Sequence, residues 1–151
     1  MTERSGWTGS WLSGLGVPGE PGGTQEWRGQ RLGMPRDGVG AVAGFGRRVA
    51  AIFVDWVPCA VVAQLLTENP GWSALVLFAL LTVVGVALSG RTPGHAAAGI
   101  RVATLDGGRP SFTAAVVRTA LLCLVVPPVI YNSDGRGLHD RAAGTIVLRT
   151  R

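Results

Sequence analysis

Four charged residues in or beside apolar sequence carry the chemistry this chain can offer: Arg48, Asp55, Arg118 and Asp140. Asp55 stands inside the apolar run 49–66. There an ionisable side chain costs roughly 2.5–3.5 kcal/mol on insertion scales, so its presence suggests a use. Arg118 interrupts another apolar run, 112–131. Charges in such places pair with one another, bind an ion or carry a proton. Arg48 and Asp55 are seven residues apart, which on a helix is about 10.5 Å of rise and nearly the same face. That is long for direct contact. Arg118 lies about as deep in its run as Asp55 does in its own. Depth therefore matches Asp55 with Arg118 as an ion pair, and leaves Arg48 to reach the membrane interface or Asp140. These four are the candidate ion-pair or ion-binding residues.

Other chemistry finds little support. His139 and Asp140 are adjacent in sequence, which is not the spatial arrangement of a dyad, and no Ser or Cys nucleophile stands in a motif context. His95 and His139 are too few for a metal site without acids arranged around them. Cys59 and Cys123 each fall in an apolar run, where cysteine acts as a small hydrophobe, and they fit no metal spacing or disulfide framework. Gly90-Arg-Thr-Pro-Gly94 is a turn at a helix exit, since no Gly-Lys-Ser/Thr follows it. The expectation is a protein that is not an enzyme, with no metal and no cofactor.

The elements that must position the four charges are membrane helices. Hydrophobic residues make up 47% of the 151-residue chain, and mean hydropathy is +0.33. Charged residues are 15%, against about 25% in soluble proteins. Three apolar segments, 49–66, 73–90 and 112–131, have lengths that suit a hydrocarbon layer of about 30 Å. The second has no polar face, so it does not read as a helix of a soluble bundle. The fold class expected is an all-α polytopic membrane protein of three helices. Its third helix is broken or re-entrant at Pro127-Pro128, since residues 113–126 span only about 21 Å.

The first 46 residues, rich in Gly with isolated Trp7, Trp11 and Trp27, show no sustained period. They read as a disordered cytoplasmic tail. Arg47-Arg48 before an apolar run is similar to an export signal, but Asp55 inside that run argues for an uncleaved first helix. All 14 basic residues are arginine, giving a net charge of +5. They cluster between the apolar segments as topology signals do, which argues against nucleic acid as a partner. The arginines before residue 49 place the N-terminus in the cytoplasm. The 67–72 connection has no basic residue and falls outside. The 90–111 loop, with Arg91, Arg101 and Arg109, returns inside. A third full crossing would put Arg136, Arg141, Arg149 and Arg151 outside against the same bias, which favours a cytoplasmic C-terminus.

Ile100-Arg-Val-Ala-Thr-Leu105 alternates and runs into the turn residues Asp106-Gly-Gly108, and Gly144-Thr-Ile-Val-Leu-Arg149 has the same character. Both read as short strands that pair if they share a membrane face. Arg48-Val-Ala-Ala-Ile-Phe-Val-Asp55, Gly90-Arg-Thr-Pro-Gly94 with Gly99-Ile-Arg-Val102, the Arg118 helix, and Gly137-Leu-His-Asp-Arg-Ala-Ala-Gly-Thr145 stand in the order seen in one family. Over roughly 45–150 the chain resembles the RDD family of bacterial integral membrane proteins. The resemblance carries the family's arginine and two aspartates to Arg48, Asp55 and Asp140, and implies a bacterial cell membrane. One departure is the short stretch from Arg118 to His139. Two functions fit these features. One is an accessory or scaffolding membrane subunit locked by an Asp–Arg pair. The other is proton- or cation-coupled transport, which three helices would support only as a homo-oligomer or with a partner membrane protein. The lipid bilayer is a partner in either case.

Overall fold

A computed structural model describes residues 25–124 and 134–151. Two long helices form the body: α1, Phe45–Leu66, and α2, Pro70–Ser89. Asn69-Pro70 separates them. Proline at the first helical position suits α2 because its missing N–H would have no intrahelical partner there. Pro58 sits inside α1, where it removes a backbone donor, a change that membrane helices tolerate better than soluble ones. The buried face of α1 is Arg48, Ala51, Asp55, Cys59 and Ala63. That of α2 is Ala74, Phe78, Thr82 and Val86. Spacings of three and four put each set on one stripe. Alanine in both stripes lets the backbones approach closely, as in helix pairs packed in lipid. Trp56 and Phe78 add an edge-to-face contact, ring centroids 5.4 Å apart.

Both helices are long and apolar enough to cross a membrane, yet only 22% of each apolar window is buried inside the protein. A core helix of a soluble protein would be mostly covered. Here Phe53, Val57, Leu65, Leu80 and Leu88 are all exposed, an apolar surface that suits a membrane setting.

After α2 the chain folds back on itself. Gly90 takes a left-handed φ of 72° and its carbonyl accepts from Val102 N at 2.6 Å. A short helix α3, Pro93–Ala98, follows, then strand β1, Ile100–Thr104. Helix α4, Phe112–Cys123, begins at Ser111, whose hydroxyl accepts from Ala114 N at 3.1 Å. Helix α5, Leu138–Ala142, and strand β2, Thr145–Arg149, complete the described order. The expected strand pairing is present: β1 and β2 are antiparallel with Val102 opposite Val147.

Two further expectations extend beyond the described residues. The third apolar segment was expected as a helix over 112–131. The described helix ends at Cys123 after 12 residues, about 18 Å, which is short of a bilayer crossing. The Pro127-Pro128 break lies outside the described residues. The second concerns the tail, expected as disordered over 1–46. From residue 25 onward the chain is ordered against the protein, while Trp7 and Trp11 lie outside the described residues. A 3-10 turn covers Gln30–Leu32, and Trp27 Nε1 donates to Met34 O at 3.0 Å. Residues 40–43 run along β2 through Ala43 N to Val147 O and Arg149 N to Ala41 O, both 2.8 Å. Ala41, Val42 and Ala43 are buried. Sheet pairing supplied the backbone partners and apolar cover that local composition did not reveal.

Candidate functional site

The start of α1, the end of α2 and both strands meet at one end of the hairpin, and the buried charges gather there. Asp140, in the first turn of α5, is fully buried. Arg48 Nη1 donates to its Oδ2 at 2.6 Å, and Arg118 Nη1 donates to its Oδ1. His139 Nε2 stands 3.3 Å from Oδ1. One carboxylate thus holds two guanidiniums, from α1 and α4. Arg48 also ties down backbone. Its Nε donates to Ala43 O at 3.1 Å and its Nη2 to Gly135 O at 2.8 Å. A single side chain therefore joins the ordered N-terminal segment, α1, α5 and the turn before α5. Burial alone would raise the Asp140 carboxyl, but Arg118 and Arg48, with His139, outweigh it and hold the group below its usual value.

Asp55 belongs to a different group. It is buried, and its Oδ2 accepts from the Thr92 hydroxyl while Oδ1 accepts from Gly94 N at 2.7 Å. Thr92 is the N-cap of α3. Its hydroxyl accepts from His95 N at 3.2 Å, and His95 Nδ1 faces both Thr92 N and Thr92 Oγ1, a reciprocal capping box. Gly94 is required by close approach. A Cβ there would run into the Ala51 carbonyl oxygen and lie 2.7 Å from Asp55 Oδ2. Burial, then Arg118, push the His95 ring down to about 3, with Asp140 opposing and Arg48 adding to the effect. His95 is therefore neutral at physiological pH.

The expected Asp55–Arg118 pair is not formed. Arg118 takes Asp140, and Asp55 takes the N-terminal end of α3. Depth counted along separate helices missed this, because α5 and α3 fold back beside the bundle and offer nearer partners than a helix-to-helix match. Arg48 reaches Asp140, one of the two destinations expected for it. Thr92, Gly94 and His95 were missed as site residues. Their signal was legible: Thr followed by Pro at the first helical position, with a reciprocating side chain three residues on. His139 lies within the Asp140 cluster.

Both Asp140 oxygens and both Asp55 oxygens accept from protein donors. Among the described residues no group of three or more His, Cys, Asp or Glu is placed to hold a metal ion. Comparison with known families matches residues 64–144 to the RDD family. That stretch is more than half the chain. It contains Thr92, Arg118 and Asp140 and begins after Arg48 and Asp55. No curated protein and no solved structure matches the chain in the same comparisons.

Proposed function

The chain belongs to the RDD family, and from that premise we propose that it is a small integral protein of the bacterial cell membrane acting as an accessory or scaffolding subunit. The family and the two apolar helices point to a membrane protein. The observation that carries the finer reading is Asp140, a fully buried carboxylate whose two oxygens are taken by Arg48 and Arg118. A buried carboxylate saturated by two guanidiniums serves to specify packing, and removing one member leaves an uncompensated buried charge. The lipid-facing surface of α1 and α2 is the face open to a second copy or to a partner membrane protein. The positive-inside bias supports an N-terminus in the cytoplasm, with the arginine-rich sheet end on that side.

One observation favours proton- or cation-coupled transport by a homo-oligomer as the second reading: the chain Asp55–Thr92–His95 is a continuous line of hydrogen-bonding groups beside a spanning helix. Flux measurements in reconstituted vesicles separate the two. Proton and sodium flux no greater than that of empty vesicles is the outcome expected of the accessory role. Flux abolished by Asp55→Asn would establish transport instead.

A further inference from the structure

The sheet end of the hairpin carries a second basic feature, separate from the Asp140 cluster. A cavity of about 370 Å³ opens where α2 meets the sheet, and Val39, Gly40, Ser89, Arg91, Arg101 and Arg149 line it. Its arginines come from different elements. Arg91 follows α2, Arg101 lies in β1 and Arg149 ends β2. The register sets Arg149 opposite Ile100 and Arg101 opposite Leu148, so the two side chains leave opposite faces of the sheet, and both residues border the cavity. Among the described residues no aspartate or glutamate lines the cavity.

Several other arginines at this end have partners. Arg48 and Arg118 share Asp140, while Arg47 and Arg109 each donate to a backbone carbonyl at 3.0 Å. Among the described residues Arg91, Arg101 and Arg149 make no ion pair. The Nε of Arg149 is buried and has no hydrogen-bond partner there. A buried donor left unmade is destabilising, and like charges around one concavity repel while raising the local potential for an anion. One anion relieves both conditions.

We propose that this cavity binds a phosphoryl anion, the chemistry shared by an anionic phospholipid headgroup and a free phosphate. Guanidinium forks match phosphoryl oxygens two at a time. The volume lies in the range of small-molecule sites. Ser89 is the last residue of α2, so the cavity sits where a spanning helix leaves the hydrocarbon, at the level of lipid phosphates. The inference does not depend on the accessory role, and its test does not read flux.

The test uses the full chain, purified in neutral detergent. Binding is followed by thermal stabilisation on titration with sodium phosphate, with short-chain phosphatidylglycerol, and with phosphatidylcholine of equal chain length. Arg91 and Arg101 are exposed, so Arg91→Gln and Arg101→Gln leave the packed core intact. Arg101→Lys keeps the charge without the fork. Arg36→Gln is the control for net charge, because Arg36 is exposed beside Asp37. Stabilisation by phosphatidylglycerol or phosphate is expected to weaken by about tenfold in apparent affinity in the Arg91→Gln, Arg101→Gln double variant, less in Arg101→Lys, and not in Arg36→Gln. Response to phosphatidylglycerol alone assigns the site to a lipid headgroup, and response to phosphate assigns it to the phosphoryl group itself. No response to either, an equal response to phosphatidylcholine, or an equal loss in Arg36→Gln overturns the proposal.

Discussion

Asp140 is the residue on which the buried charge balance turns. Replacing it with Asn leaves Arg48 and Arg118 facing each other in a desolvated site. Breaking a buried pair in this way costs about 3–5 kcal/mol, so Asp140→Asn is expected to lower the unfolding midpoint in detergent sharply. Adding Arg118→Gln should recover part of that loss by removing one of the two stranded charges. The same Arg118→Gln change added to Asp55→Asn should recover nothing, because Asp55 bonds Thr92 and Gly94. His95 sets a pH dependence. Its folded value, about 3, lies below the ordinary 6.5, so between these values the unfolded chain binds a proton that the folded chain does not. Stability should therefore fall as pH drops from 6.5 toward 3. His95→Gln should flatten that part of a melting-temperature profile measured in detergent. The depressed Asp140 carboxyl acts in the same sense at lower pH, its contribution being lost as pH falls through its folded value.

At the scale of elements, the decisive piece is α3, too short to be stable alone. It is held by its own capping box and by Asp55 of α1. Its approach to α1 depends on Gly94, whose missing side chain leaves room for the Ala51 carbonyl. Gly94→Ala should push α3 off α1 and cost about 1–3 kcal/mol, the usual range for overpacking. Gly46→Ala, in the same helix as Asp55, meets nothing within 4 Å and should leave the unfolding midpoint unchanged or slightly raised. Equal losses in the two variants would remove Gly94 from this role. The turn chemistry of Gly90-Arg-Thr-Pro-Gly94 was legible in the residues. Its partner was not, since Asp55 is nearly forty positions away and nothing local marks the contact.

For the molecule as a whole, strand pairing constrains topology. If α1 and α2 cross the bilayer as a hairpin, the pairing of β1 with β2 requires the chain between Thr104 and Thr145 to leave and return on the same side. That outcome agrees with the arginine bias and opposes a single full crossing there. Cysteines introduced at Glu68 and Arg101, in a background with Cys59 and Cys123 replaced by Ala, should react from opposite sides. A membrane-impermeant thiol reagent applied to intact cells is expected to label the position-68 variant alone. Labelling of both positions would refute the hairpin arrangement.

Several features were legible in the sequence alone: the apolar character that points to a membrane, two of the three apolar segments as long helices, and the two short strands. Each rests on local quantities, namely run length and alternation, and these are properties of neighbouring residues. The tertiary structure decided the rest. It gave Asp140 both arginines, moved Asp55 to Thr92 and Gly94, drew residues 40–43 into the sheet, and ended the described third helix at Cys123. These outcomes depend on which distant groups the fold brings within hydrogen-bonding reach. A buried charge takes the nearest partner in space, and distance in space is not written in the spacing of residues along the chain.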